Sequence, residues 1–230
     1  MKKKLDKKQY VKNLFDNISG KYDFLNHFLS VGIDFYWRKK SLKLTKISID
    51  AIMLDVACGT GDFSIAASKI GVAKIIGADL SRNMLKLFNS KAEWSRGKLA
   101  QSIAEFLPFK NQTFTNITVA FGVRNFYNIP MGFNEFYRIL KKNGKVTVLE
   151  FSLPKNLIIK GLYNFYFNHI LPTIGKLISK DNEAYTYLPK SVNKFDAEID
   201  VKQLLSNVGF KNIENHSLTF GLVQVVIAEK

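Results

Sequence analysis

The sequence is short of cysteine, proline, histidine and acidic residues and has no long apolar run, and each shortage closes off an explanation. One cysteine, Cys58, cannot form an internal disulfide and suits a reducing compartment. It stands in a glycine-rich loop where a small side chain is wanted, so it reads as packing and not as a nucleophile. No stretch reaches the roughly 20 apolar residues of a membrane span. The opening MKKKLDKK carries five lysines with no apolar segment behind it, which is not a secretion signal. Asp and Glu number 19 against 34 Lys and Arg, a net charge of +15. Such a surplus suits nucleic acid, an anionic membrane surface or plain solubility. The expectation is a cytoplasmic protein, peripheral at the inner face of the membrane if lipid is what the charge meets. With 47% apolar and 13% aromatic residues the chain is not disordered, and 230 residues suffice for one α/β domain with an appended cap.

What is present is organised around Met53-Leu-Asp-Val-Ala-Cys-Gly-Thr-Gly-Asp-Phe63. Ile52 to Val56 reads as a buried parallel strand, Gly59 and Gly61 as a tight turn, and Phe63, Ile65, Ala66, Ala67 and Ile70 as a helix. A second strand, Ala73 to Ala78, ends at Asp79, 18 residues past Gly61. That is where a nucleotide-binding βαβ unit places the carboxylate that grips a ribose. A dinucleotide would want a third glycine and a free positive helix end. Ile65 occupies that glycine position and Asp62 sits at the helix start, where it would repel a diphosphate. A ligand with no phosphate and a cationic centre fits better, and S-adenosylmethionine has both properties. Asp55 adds a second acid near the same pocket.

Taken in order, residues 1–50 read as an N-terminal helical cap, with a helix over Tyr10 to Ile18 broken at Ser19-Gly20. Residues 51–151 form the cofactor-binding core: Ser81 caps a helix carrying Met84, Leu85 and Phe88, a weak third strand covers 97–103, and a fourth covers 114–121. A helix over 131–140 then leads through a turn at Lys142-Asn-Gly144 into a fifth strand, 145–151. Arg124 and Asn125, after the fourth strand, face the rim where open parallel sheets bind ligands. Residues 155–195 interrupt the alternation with an aromatic, apolar helical insertion. Residues 196–230 return to it, with a helix over 198–207 stopped by Gly209 and two strands, 212–218 and 222–229, close enough to form a hairpin. No internal repeat or low-complexity linker is visible.

Three blocks resemble the quinone C-methyltransferases of menaquinone and ubiquinone biosynthesis: YDFLNHFLSVGIDFYWR, RNFYNIPMGFNEFYRILKKNGKVTVLEFS and HILPTIGKLISKDNEAYTYLPKSV. The likeness runs from about residue 12 to the end. It implies the class I S-adenosylmethionine-dependent methyltransferase fold, Rossmann-like, with a mostly parallel seven-stranded sheet, an N-terminal helical lid and a helical insertion after the fifth strand. It also implies methyl transfer to a ring carbon of a polyprenylated quinol, demethylmenaquinol first and the methoxy-polyprenyl-benzoquinol of ubiquinone synthesis second. Residue by residue, Thr60 and Asp79 contact the cofactor, Ile103 and Ala104 flank the adenine, and Ala120 stands where the family often has serine. Tyr22 and Arg38, from the first block, join Asp55, Gly59 and Gly61 in the expected cofactor set. Many relatives carry asparagine or aspartate where Ile103 stands, histidine where Asp34 stands, and proline where Asn143 stands.

A quinol ring carbon becomes nucleophilic when the neighbouring hydroxyl loses its proton, and a phenol holds that proton to about pH 10. Arg124 is expected to stabilise the phenolate and Asn125 to hydrogen-bond it or order Arg124. His169, Tyr187 and Asp34 are the candidate proton acceptors, and Glu150 is placed to neutralise Arg124 or orient the substrate. No metal is called for. A nucleic-acid methyltransferase would suit the charge, but the aromatics cluster in an apolar insertion and not on a basic stacking face, so no nucleic acid is expected. A non-enzymatic S-adenosylmethionine-binding scaffold fits poorly with Tyr22, Arg124, Asn125 and Tyr187 beside the cofactor motifs. A homo-oligomer stays open.

Overall fold

The computed structural model describes residues 2–170 and 182–230. Seven strands form one sheet: β1 Ile52–Val56, β2 Lys74–Asp79, β3 Leu99–Gln101, β4 Phe114–Ala120, β5 Leu140–Phe151, β6 Lys211–Leu218 and β7 Val223–Glu229, in the order β3-β2-β1-β4-β5-β7-β6. The first five pair in parallel, and β7 runs antiparallel between β5 and β6. The helices are α1 Lys2–Leu29, α2 Ile33–Thr45, α3 Asp62–Lys69, α4 Arg82–Lys91, α5 Ile129–Ile139, α6 Leu157–Phe165, α7 Asn182–Glu198 and α8 Val201–Val208.

Helices cover both sheet faces, and the two-residue period of the strands divides their side chains between them. Leu54, Val146, Val148 and Val226 pack with Phe133 and Phe136 of α5 and Leu205 of α8. Met53, Ile75, Leu149 and Val225 face the other way, against Trp37 of α2 and Phe63 and Ala67 of α3. Several helix starts are capped by side chains, Ser81 as expected and Asn128 and Asp200 besides. Ser81 Oγ accepts from the Met84 amide at 3.2 Å, Asn128 Oδ1 from Met131 at 3.1 Å, and Asp200 Oδ1 from Lys202 at 2.9 Å. Gly209, with φ of 111°, ends α8 in the left-handed conformation open to glycine.

Two expectations change. The helix expected to break at Ser19-Gly20 runs on as α1 to Leu29. Ser19 Oγ folds back onto the Asp16 carbonyl at 2.9 Å, and burial of Val11 and Leu14 offsets the cost of one glycine, about 1 kcal/mol. The turn expected at Lys142-Asn-Gly144 lies inside β5. Asn143 takes φ of 61° and the pairing with β4 jumps from Leu140 to Lys145, so the regular ladder starts at Lys145 as expected; the Asn143 amide donates to the Lys230 carbonyl at 3.0 Å and the Lys230 amide to Gly144 at 2.9 Å, which keeps the irregular stretch joined to the strand. Cys58 is buried, and burial pushes its thiol pKa up; a Cβ added at Gly77 would come 2.9 Å from its sulfur. It packs, as expected.

Candidate active site

The ends of β1, β2 and β4 lie side by side, and the chain leaving each one lines a cleft roofed by Val11, Lys12 and Phe15 of α1. Gly59, Asp79, Ile103, Ala104, Ala120 and Asn125, all expected on sequence grounds, line this cleft. Asp79 shapes the turn as well as the cleft: Oδ2 accepts from the Gly59 amide and Oδ1 from the Ser81 amide, each at 2.8 Å. Its pKa is raised by burial, against those two amides, and Asp16 nearby adds to the rise. Each carboxylate oxygen keeps a second lone pair with which to accept from a sugar hydroxyl. Ser81 Oγ donates to Asp16, fastening α1 across the opening. Gly61 is required for a reason other than ligand approach. Its φ is 89°, and a Cβ there would stand 2.2 Å from the Phe88 ring of α4.

Thr60, Gly61, Asp55 and Arg38 do not line this cleft; they belong to a polar cluster beside it. Asp55 is 1% exposed and accepts from Ser64 Oγ at 2.7 Å and Thr118 Oγ1 at 3.1 Å. Burial pushes its pKa up to about 6, against those bonds and the Arg38 charge. Thr60 Oγ1 donates to Asp23 of α1. Lys91 Nζ reaches Asp23 at 2.8 Å and Asp62 at 2.5 Å. Arg38 pairs with Asp34 and lies 3.7 Å from Asp62, and its guanidinium sits 5.6 Å over the Phe121 ring, which does line the cleft. Asp23, His27 and Asp62 lie within reach of one another, but the Lys91 ammonium already bridges the two carboxylates. The charge of Asp62 is therefore compensated, so it repels a phosphate less than an isolated carboxylate would.

The candidate catalytic residues separate. Asp34 is 3% exposed and engaged by Ser30 Oγ at 2.7 Å, His27 Nδ1 at 2.8 Å and Arg38. Burial alone would raise its pKa; Ser30, Arg38 and His27 outweigh burial and lower it. A saturated, more acidic carboxylate is a poor base, so the geometry makes Asp34 the anchor of Arg38 in place of a proton acceptor. Arg124 Nη1 donates to Glu150 Oε1 at 2.6 Å and to the Phe121 carbonyl at 2.5 Å, and the guanidinium lies 5.5 Å over Phe151. Glu150 is fully buried and also accepts the Phe151 amide at 3.0 Å, so it neutralises and aims Arg124, one of the roles foreseen for it. Tyr187 donates its hydroxyl to Asn125 Oδ1 at 2.7 Å, and burial raises its pKa despite Arg124. It thus fixes the Asn125 amide and keeps its own proton. The side chains of Tyr22 and His169 lie outside the described residues.

The same geometry shows what the sequence reading missed. Glu105, 3% exposed, lines the cleft and accepts the Asn128 amide at 2.8 Å. Phe121 and Phe126 line it too, and Val11 and Phe15 were visible only as an apolar helix face.

A family model described as the ubiE/COQ5 methyltransferase family matches residues 2–230. The chain belongs to that family. A protein of Geotalea daltonii named ubiquinone/menaquinone biosynthesis C-methyltransferase is 42% identical across the whole of both chains. A demethylmenaquinone methyltransferase of Bacteroides fragilis is 38% identical over 97% of this chain and 94% of its own. Among solved structures, a SAM-dependent methyltransferase of Thermotoga maritima superposes with a TM-score of 0.66 at 18% identity, covering 95% of this chain and 99% of that one. The [4+2]-cyclase SpnF gives 0.65 at 14% identity, covering 97% and 96%. The fold is thus that of the class I methyltransferases, and because it also carries a cyclase, fold alone does not name a reaction. Family membership at this identity makes this chain a methyltransferase of quinone biosynthesis. No described helix is long and apolar enough to cross a membrane.

Proposed function

We propose that the protein methylates a ring carbon of a polyprenylated quinol, demethylmenaquinol in the first instance, with S-adenosylmethionine as donor. The observation that supports this reading is Asn125, which lines the same cleft as Asp79 and accepts from Tyr187, next in sequence to Arg124, in a chain related over its full length to quinone C-methyltransferases.

The cleft suits the donor. Asp79 presents lone pairs for a ribose, and Ile103 and Ala104 offer an apolar slot where a flat base would lie, with only backbone to recognise its edge. The polar cluster of Arg38, Asp55 and the Gly59–Gly61 turn would meet a zwitterionic amino-acid end. When bound, S-adenosylmethionine supplies an electrophilic methyl group. The protein's part is to favour the phenolate form of the quinol and to hold its ring carbon in line with the methyl group, where positioning supplies much of the rate. The Arg124 guanidinium, aimed by Glu150, stabilises developing phenolate charge, and Asn125, fixed by Tyr187, orients the quinol oxygen. With Asp34 tied to Arg38 and Tyr187 keeping its proton, the proton leaves to solvent or to His169.

Purified protein incubated with methyl-labelled S-adenosylmethionine and a reduced demethylnaphthoquinol should give a product heavier by one methyl on carbon. Label transfer to a methoxy-benzoquinol alone would move the assignment to the ubiquinone precursor. Transfer to neither ring would refute it.

A further inference from the structure

Away from the cleft, large apolar side chains are exposed in a group. On α6, Leu157, Ile158, Leu162 and Phe165 are 82%, 76%, 66% and 58% exposed, and Phe220 in the β6–β7 turn is 80% exposed. Phe35 and Tyr36 of α2 are 55% and 51% exposed. Short contacts join the three elements. Trp37 Nε1 donates to Thr219 Oγ1 at 2.7 Å, tying α2 to the turn. Ser152 Oγ donates to the Gly221 carbonyl at 2.8 Å, and a Cβ added at Gly221 would stand 3.3 Å from Pro154 Cα, tying the turn to the approach to α6. Single exposed apolar residues are ordinary, but a contiguous group marks a contact surface.

The charge around the group is mainly positive, with Asp196, exposed and accepting the Leu153 amide at 3.0 Å, as the nearby acid. Lys39, Lys43 and Lys155 are exposed beside it, α6 contains no acid, and Asp34, the only acid of α2, is buried. A second copy of the chain docked on this face would set lysines against lysines. An anionic bilayer complements both properties: apolar side chains enter the acyl region while ammonium groups stay among the headgroups. The face also adjoins the reaction site. Phe151, the last residue of β5, has its ring 6.1 Å from Trp37 and lies beneath Arg124.

We propose that α6, the β6–β7 turn and the exposed side of α2 form one docking face for an anionic lipid bilayer, from which the isoprenoid tail of the substrate runs to Arg124. The inference rests on the quinol reading above. The turn and the approach to α6 are joined by the Ser152 bonds to Gly221 and Leu222, so the fold sets where α6 starts relative to the turn.

The test is co-sedimentation with vesicles of phosphatidylcholine with and without phosphatidylglycerol, for the wild type and a Leu157→Ser, Leu162→Ser, Phe220→Asn variant. Asparagine tolerates the left-handed φ of 56° at position 220. The wild type should bind the anionic vesicles and release them in high salt, and the variant should bind at least about tenfold more weakly. Turnover of a tail-less quinol should be unchanged in the variant. A wild type that ignores vesicles, or a variant that binds them equally, overturns the proposal. If no quinol is methylated by either protein while vesicle binding still falls in the variant, the face stands and the substrate assignment fails. A second probe does not depend on the triple variant folding: Ile158→Trp should be quenched by brominated acyl chains, and an unquenched signal overturns the face as well.

Discussion

At the residue scale, Asp79, Arg124 and Asp55 each carry a separate prediction. Asp79 holds two backbone amides besides facing the cleft, so Asp79→Ala would disturb the turn together with the ligand. Asp79→Asn keeps one oxygen acceptor and is the cleaner change. It should weaken S-adenosylmethionine binding by about tenfold to a hundredfold, corresponding to roughly 1.5–3 kcal/mol for a charge-assisted contact. Calorimetry with unchanged affinity and an intact fold would remove Asp79 from the donor site. Arg124→Ala should lower kcat about a hundredfold to a thousandfold with little change in donor affinity, and Arg124→Lys should lose less. A more acidic quinol analogue should restore part of the loss, because less phenolate stabilisation is then needed. Rates that ignore the acidity of the analogue would leave Arg124 a structural partner of Glu150. Asp55 rises from 3.8 to about 6 on burial, so the folded protein binds its proton more tightly than the unfolded chain. Its contribution to stability is therefore full below about pH 4 and declines as pH rises to about 6, by the order of 3 kcal/mol at about 1.4 kcal/mol per tenfold. Asp55→Asn should flatten that decline in urea midpoints measured across the window; a slope as steep as the wild type's would show that another group causes it. The glycine turn, Asp79 and Arg124-Asn125 were legible because strand ends and spacing fix where they point. The roles of Asp34 and Tyr187 were not, since what decides them is which neighbours occupy their oxygens: for Tyr187 that is the distant Asn125, and for Asp34 the nearby Ser30, His27 and Arg38, whose convergence on one carboxylate depends on the packing of α1 against α2.

At the scale of elements, α1 is the piece whose behaviour most affects the site. It lies across the cleft through Val11, Lys12 and Phe15 and is fastened by Asp16 to Ser81 and by Asp23 to Thr60 and Lys91. If α1 gates the cleft, a donor beneath it is released as the helix lifts. Asp16→Ala should speed donor release about three- to tenfold, with a smaller effect on association, since one charge-assisted hydrogen bond is removed from the closed state alone. Stopped-flow displacement would measure both rates, and an unchanged release rate would mean that the helix does not gate the cleft. The sequence showed α1 as an amphipathic run but placed a break at Ser19-Gly20. Local propensity was the right cue for an isolated peptide, and tertiary packing overrode it. The strands, the Ser81 cap and the Gly209 stop were legible for the opposite reason: apolar runs, a capping serine and a terminal glycine all pointed the same way. The irregular 142–144 stretch was read as a plain turn, because the bonds to Lys230 that keep it within β5 are made with the far end of the chain; the helix expected over 198–207 starts only at Val201, capped by Asp200.

For the whole molecule, two electrostatic effects oppose each other. A net charge of +15 repels itself, while the cluster of Asp23, Asp34, Asp62, Arg38 and Lys91 holds α1, α2, α3 and α4 together. Largely enclosed pairs are screened less than exposed charges. Raising salt from about 20 to about 150 mM should therefore raise the melting temperature by a few degrees. A fall would show that the cluster outweighs the surplus. The position of β7 has a consequence of another kind, for synthesis. The last strand in chain order is an interior strand, flanked by β5 on one side and β6 on the other. While the ribosome makes the preceding residues, β5 has an open edge, although every donor-binding residue is already outside the exit tunnel. Such an unpaired apolar edge is a hazard until the partner strand arrives. A chain cut after Gly221 retains the complete cleft by sequence, yet it is expected to aggregate and to leave no soluble donor-binding protein; recovery of such a fragment in folded form would show that the sheet stands without β7.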